Sequence, residues 1–510
     1  MSSSIMKNTQ LGVLSAIAFS AAGCVTVGPD FEKPEAEMAD SWIEAHDPRV
    51  DTSSAAYQDW WQVFNDPVLD GLIAHAYTEN PTLQIAGLRI LEARAQLGIA
   101  TGLKYPQSQS VGASYARSKS SENAPPFSNL PSDVADRIDT SANFWSTSFD
   151  IAWEADIWGK FSRGTEAAEA NLAANMLSYD AMLVLLTGDV ALVYTTIRTL
   201  EQRLAYLRDN VLLQKQGLEL AETRFEFGAT SKLDVTQSRS LLRATESMIP
   251  VLQMQISQAK NALSLLLGMP PGTLKELLGT ESSIPEASPN AAVGIPADLI
   301  RRRPDVRAAE MAAAAQSAAI GVATADLYPQ FILAGSIGLA GETFSDQFQS
   351  GSGSGFVSPL INWNIFNYGR IKNNVRVQDA RFEQLVAVYE SIVLNAAREV
   401  EDGLVGFLRS QEQVGYLQQA VTASQASVEL SLDQYEGGLV DYQRVLNSQA
   451  SLLGQQDALA DAQGRIASSL VSTYRALGGG WQLREGKAVV DSTTLDRMRE
   501  RTDWGELLEE

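Results

Sequence analysis

From Leu172 onward, apolar residues recur at alternating spacings of four and three: Leu172, Met176, Tyr179, Leu183, Leu186, Val190, Val193, Ile197, Leu200, Leu204, Leu207 and Val211. A 3.5-residue repeat kept this long is the pattern of helices that pack as left-handed coiled coils. It returns 210 residues later in looser form, as Phe382, Val386, Tyr389, Val393, Val400, Phe407, Val414, Leu417 and Val421. No proline follows Pro359, so nothing in the second copy forces a break. From Gly159 to Gly228 and from Gly369 to Gly438 the chain runs 69 residues each time, which predicts two helices of roughly 100 Å. Each is followed by a turn and a returning helix, at about 235–267 and 445–477, the first of which must accommodate Pro250.

Elsewhere the period changes to two. In NFWSTSFDIAWEADIW the odd positions Trp145, Phe149, Ile151, Trp153 and Ile157 are apolar, while Asp150, Glu154 and Asp156 take the other parity. In GFVSPLINWNIF, Val357, Ile361, Trp363 and Ile365 alternate with Ser358, Asn362 and Asn364. These are strands with one greasy and one wet face. With the runs after each Tyr-Pro-Gln they predict four strands, at about 107–117, 143–157, 330–341 and 356–366.

The chain repeats itself. GIATGLKYPQ at 98–107 returns as GVATADLYPQ at 321–330, and Pro81 matches Pro304 at the same offset of 223. Trp153 with Trp363, Gly159 with Gly369, Phe225 with Tyr435, Gly228 with Gly438 and Val235 with Val445 match at 210. One unit, roughly 81–267, is therefore duplicated as 304–477. The thirteen surplus residues of the first copy fall in the polar, Pro-rich SKSSENAPPFSNLPSD, which reads as an exposed loop. Proline ends a helix, so each Tyr-Pro-Gln marks a hand-over from helix to strand. The change of offset would invert the pleat, so a bulge or register slip is expected near residue 108.

Four strands cannot close a barrel, and an open sheet edge is not tolerated in hydrocarbon. If the face carrying Trp145, Phe149, Ile151, Trp153, Val357, Ile361 and Trp363 points at lipid, several chains must each lend four strands to one barrel. The girdle-like placing of Trp145, Trp153, Trp158 and Trp363 favours this. The alternative is a soluble antiparallel sheet packed on helices.

A formal charge of −22 argues against nucleic acid and against a polybasic membrane anchor. Leu11 to Gly23, preceded by Lys7, is too short to span a bilayer and reads as a signal h-region. The chain has one cysteine, Cys24, so no intrachain disulfide is possible. Ala21-Ala22-Gly23-Cys24 resembles a bacterial lipobox, although Ala21 stands where Leu is usual. The resemblance implies a covalent lipid on Cys24 as first residue of the mature chain; the alternative is an uncleaved signal with an incidental thiol. His46 and His75 sit in no metal-binding or nucleotide-binding motif. Arg301-Arg302-Arg303 before Pro304 reads as a helix entry in preference to an anion site. No nucleophile is set beside a base, so no enzyme, metal or cofactor is expected.

Together, CVTVGPDFEKP after the lipobox, DWWQVFNDPVLDGLI at 59–73, IPADLIRRRPDVRAAE at 295–310, both Tyr-Pro-Gln hand-overs, the repeated Trp-x5-Gly and ALGGGW at 476–481 carry a resemblance over nearly the whole mature chain. It is to the TolC/OprM-type outer-membrane efflux channels, in the NodT-like lipoprotein branch that partners resistance-nodulation-division pumps. The implied fold is mainly α with a small β portion: a duplicated unit of long antiparallel coiled-coil helices, plus four transmembrane strands that close a 12-stranded barrel only as a homotrimer. The expected divisions are a signal peptide 1–23, a lipidated segment 24–66, repeat 1 at 67–268, a linker 269–303, repeat 2 at 304–477 and a tail 478–510. Parts of the second, fourth and sixth build an equatorial belt.

The implied function is the passive exit duct of a tripartite efflux pump, joined through a periplasmic membrane-fusion adaptor to an inner-membrane pump and seated in outer-membrane lipid. By resemblance the turns FEFGATSKLDV and YEGGLVDYQRV meet the adaptor through Gly228, Ala229, Thr230, Ser231, Gly438, Leu439 and Val440. The gate falls to Gln443, Asn447, Asp441, Arg444 and Asp234. Relatives often carry Leu, Asp and Arg where this chain has Gln443, Asn447 and Ala450, which removes the gate's charge ring. A protein-secretion duct of the same architecture and a non-conducting, lipid-anchored coiled-coil scaffold remain as alternatives.

Overall fold

The computed structural model describes residues 26–53, 57–135, 137–279, 283–286, 288, 290–294, 296, 298 and 302–508. Cys24 and the signal region lie outside them.

The principal helices and strands, in chain order, are α1 (Pro67–Glu79), α2 (Pro81–Gly102), β1 (Ser108–Lys119), β2 (Ser141–Glu154), α3 (Lys160–Glu226), α4 (Lys232–Leu266), α5 (Pro304–Ala325), β3 (Gln330–Gly341), β4 (Gly353–Asn362), α6 (Arg370–Glu436), α7 (Tyr442–Ala476) and α8 (Ser492–Arg501). The duplication is plain in their lengths: α3 and α6 have 67 residues each, and α4 and α7 have 35 each. Pro250 lies inside α4 without interrupting it.

Two compact units emerge, and neither is one repeat. The first takes the described residues up to Lys33, with Glu92–Leu172 and Met311–Val386; the second takes Pro34–Leu91, Ala173–Glu310 and Ala387–Glu510. Each repeat contributes to both units. The boundary between the units near the start of the described residues falls between Lys33 and Pro34.

The first unit holds an antiparallel sheet in the order β1-β2-β3-β4. Strand ends differ from expectation. β2 stops at Glu154 and β4 at Asn362, so Ile157, Trp363 and Ile365 lie outside the ladder. The reason is local: Asp156 accepts from the main-chain N–H of Phe161 and Ser162 at 2.9 and 2.8 Å, which turns the chain into α3. The Trp363 indole is drawn to a main-chain carbonyl, as described below.

The slip expected near residue 108 is present, without a bulge. Gln330 faces Asn362 in the second hairpin, but in the first Ser108, not Gln107, faces Ala152. The Gln107 side chain replaces the displaced ladder bonds. Its amide nitrogen donates to Glu154 O at 3.1 Å, and its amide oxygen accepts from Glu154 N at 2.7 Å.

The second unit is helical. Most heptad residues of α3 are buried, with Leu183, Val190 and Ile197 at 0% exposure, while Leu172 and Val193 are half-buried and Met176 is exposed. Leu200, Leu204 and Leu207 pack on Leu252 and Ile256 of α4. Arg203 adds a bidentate pair to Asp457 of α7, at 2.7 and 3.0 Å. In α6, Tyr389, Val393, Val400 and Phe407 are buried, while Val414, Leu417 and Val421 are only half-buried.

The motif residues explain one another. Trp60 stacks on Tyr474 at 5.9 Å, and Gly478 and Gly480 adopt φ of 74° and 100° beyond α7. A Cβ on Gly480 would stand 2.9 Å from Thr187 Oγ1 and 3.3 Å from Trp60 Nε1, so the glycine run lets the first tryptophan pair seat. Of the expected belt, Val50–Asp51 pairs in parallel with Ala291–Ala292, and α8 buries Met498 beside Leu91.

Where α6 crosses α7, a Cβ on Gly403 would lie 3.1 Å from both the N and Cα of Thr473, backbone that cannot move aside. Gly403→Leu is therefore expected to cost about 1–3 kcal/mol, read as a lower thermal midpoint of the helical circular-dichroism signal. Leucine at the open Gly415 position should leave that midpoint unchanged.

Candidate functional site: the sheet face and the tip turns

In all three strand pairings odd-numbered residues face odd-numbered residues: Tyr115 with Trp145, Phe149 with Ile337, Phe331 with Ile361. One face therefore collects Val111, Tyr115, Trp145, Phe149, Ile151, Trp153, Phe331, Leu333, Ile337, Leu339, Val357 and Ile361. The other collects Ser108, Ser110, Ser114, Ser146, Ser148, Asp150, Ser336, Ser354 and Ser358, with Phe144, Ile332, Phe356 and Leu360 as its apolar exceptions. Val111 and Val357 are 77% and 75% exposed. β1 and β4 are the two edges, each paired on one side only among the described residues. A contiguous apolar face of this size, left open, marks a surface that meets lipid or another protein.

The hand-over end of this face carries indoles, each with its N–H satisfied. Trp153 donates to Lys104 O at 3.3 Å and Trp363 to Leu327 O at 3.0 Å. Donors 210 apart meet acceptors 223 apart, so one contact has been duplicated with the unit. Trp158 donates to Pro329 O at 2.8 Å and stacks on Tyr328 at 4.7 Å. Trp363 thus lies one residue beyond its strand yet joins the same aromatic border. The first described residues also end here: Val27 N donates to Trp158 O at 3.1 Å, and Arg163 pairs with Asp30 at 2.6 Å. Gly159, at φ 74°, leaves room for Thr26, whose Cα would stand 2.9 Å from an added Cβ.

In the helical unit the two tip turns form one cluster. Gly228 and Gly438 take φ of 71° and 74°, closing α3 and α6 with the same pattern of bonds: Ala229 N to Arg224 O, and Leu439 N to Gln434 O, both at 2.8 Å. Ala221, Val235, Tyr435, Tyr442, Val445 and Leu446 pack between them. Tyr435 and Tyr442 meet edge to face at 4.9 Å, and burial pushes both hydroxyls above the ordinary tyrosine range. Arg224 lies over the Tyr435 ring at 4.8 Å and donates to Glu436 O at 2.6 Å, crossing from the first turn to the second.

Of the expected tip contacts, Gly228, Ala229, Ser231, Gly438 and Leu439 are exposed, while Thr230 and Val440 are half-buried. Gln443, Asn447 and Ala450 share one exposed face of α7, and Gln443 donates to Asn447 at 3.0 Å. Asp441 caps α7 by accepting from Arg444 N at 3.3 Å. Asp234 is spent on the tip itself: the hydroxyls of Thr230, Ser231 and Tyr435 all donate to it, the last two at 3.4 and 3.3 Å. It is a strut between turns. Sequence reasoning missed Arg224 and Tyr442, whose hydrogen-bond partners, Glu436 and Ser238, come from the other repeat and leave no periodic trace. Arg303 is no anion site, since Asp305, Glu399 and the carbonyl of Ala476 already occupy its guanidinium.

An exposed one-parity apolar sheet face bordered by hydrogen-bonded indoles defines the class of outer-membrane channel proteins. The chain belongs to the outer membrane efflux protein family, whose model matches residues 72–269 and 295–479. It is 30% identical over 487 residues to SepC, a probable efflux pump outer membrane protein of Pseudomonas putida, covering 93% of this chain and 98% of that protein. It is also 30% identical to the cation efflux system protein CusC of Escherichia coli, over 91% of this chain and 98% of that one. Among solved structures, the outer-membrane channel OprN matches with a TM-score of 0.82 at 30% identity, covering 89% of this chain and 99% of that chain. The protein is an outer-membrane component of efflux, its role that of an exit duct.

The faces make opposite predictions for one substitution. Ile337→Arg, in the middle of the apolar face, should cost about 2–4 kcal/mol per chain of membrane insertion, seen as loss of heat-modifiable protein from outer-membrane fractions. Ser336→Arg, one residue away on the polar face, should insert normally.

Proposed function

We propose that three copies of this chain close a 12-stranded barrel through which small molecules pass passively from periplasm to exterior. The observation that carries this is the pair of unpaired edges, β1 and β4, on a sheet whose apolar face is open. In hydrocarbon an unpaired edge leaves N–H and C=O groups without partners at several kcal/mol each, and pairing β4 of one copy with β1 of the next satisfies both edges at once. Conduction along the Ser-lined face needs no covalent step and no cofactor, so the chain acts as a duct and not as an enzyme.

The lipid on Cys24 fits this reading. Residues 26–30 are held by Trp158, Gly159 and Arg163 at the hand-over end of the sheet, the end that carries the aromatic border. The tip turns form the periplasmic entrance, with Leu439, Gly228 and Gly438 exposed for an adaptor that joins the duct to an inner-membrane resistance-nodulation-division pump. Gln443 and Asn447 line the narrowing on a face without charge. The relatives' names give different cargoes, among them toluene and cations; this duct takes its cargo from its pump.

Purified full-length protein should have the mass of a trimer in native mass spectrometry and should form channels in planar bilayers. A stable monomer without conductance would overturn the barrel. Asn447→Asp, placing three carboxylates at the entrance, should raise the cation-to-anion permeability ratio several-fold at low salt and lose that gain at high salt. An unchanged ratio would take Asn447 out of the narrowing.

A further inference from the structure

The loop joining β3 to β4 does not continue straight off the sheet. It folds back over the hairpin end of the apolar face, where Thr147 Oγ1 donates to Gln347 Oε1 at 2.9 Å and Gln347 is only 1% exposed. Gly341 permits this, since a Cβ there would stand 2.8 Å from both Asp346 Cβ and Gln347 N. The outcome is a continuous row of rings: Tyr115 to Trp145 at 4.6 Å, Trp145 to Phe344 at 5.5 Å, and Phe344 to Phe348 at 5.6 Å. Phe344 and Phe348 stay 59% and 69% exposed, although the loop could have turned them elsewhere.

On the same face of β1, beyond Tyr115, come Arg117 and Lys119, opposite Asn143 and Ser141. Both are exposed, and neither meets a carboxylate among the described residues. In a chain of net charge −22, two unpaired cations at this position stand out. Along one face the order is therefore apolar, aromatic, cationic, with Lys119 about 13 Å along the strand from Tyr115. That is the order of acyl chains, interface and charged head groups on one side of a bilayer.

We propose that the hairpin end of the apolar face is a docking surface for phosphate-bearing lipid head groups of the outer leaflet. Arg117 and Lys119 take the phosphate oxygens, the guanidinium through paired N–H donors, while the ring row from Tyr115 to Phe348 seats at the interface below them. The proposal rests on the reading that the odd-numbered face meets lipid.

The test uses the full-length protein and bis-phosphorylated lipid A, with its dephosphorylated form as contrast, and reads lipid retention by native mass spectrometry. Arg117→Gln combined with Lys119→Gln should weaken retention about thirty-fold, about five-fold for each cation removed from an anionic surface. The dephosphorylated lipid should bind the wild type no better than the phosphorylated one binds the double variant. Lys232→Gln with Lys275→Gln, an equal charge change at exposed positions of the helical unit, should leave retention intact. Equal retention by wild type and double variant overturns the proposal, as does full displacement by millimolar inorganic phosphate, which would mark a site for free anions. Planar-bilayer conductance of the wild type separates the two readings. Channels with unchanged retention in the double variant remove only the head-group site, whereas absence of both channels and trimer removes the lipid-facing assignment itself.

Discussion

An edge strand inside a hydrocarbon layer has nothing to bond with except another strand. That constraint governs this protein, because the chain supplies four strands, two of them edges, and places every large apolar side chain of the odd-numbered positions on an open face. Water would satisfy the edges but not the face; lipid satisfies the face but not the edges. Pairing edge to edge with sister copies, as proposed above, would answer both demands. In that proposed barrel the polar face, rich in serine and carrying Asp150, is left for the aqueous passage.

The second organising feature is the duplicated hand-over. The near-identical decapeptides at 98–107 and 321–330 are repeated because each builds a stop for a helix and an acceptor for an indole that arrives from the following hairpin. The two copies are not identical in register. Gln330 joins the ladder through its backbone, whereas Gln107 does so through its side-chain amide. One residue of slip would invert every side chain on a strand. The amide substitution absorbs it outside the ladder, so that β1 keeps Val111 and Tyr115 on the same face as Phe149 and Trp145.

At the tips, several charged groups hold the turns together. Asp234 braces the first turn against Tyr435, Asp441 caps a helix, and Arg224 bonds a carbonyl of the opposite turn. On α7, Gln443 and Asn447 are exposed and bonded to each other, with Arg444 exposed between them.

The sequence by itself determined the elements: the heptads of α3, the parity of β2 and β4, the duplication, and the hand-over at each Tyr-Pro-Gln. These are legible because period and proline act on neighbouring residues, where backbone sterics leave few choices. Only the tertiary structure decided which residues act together across the repeats. It drew the compact units across both copies, spent Asp234 on a strut, paired Arg224 with the second turn, ended β4 before Trp363, and folded Phe344 and Phe348 onto the face begun by Tyr115. Each of those outcomes depends on a partner distant in the chain, and such a partner leaves no period in the local sequence.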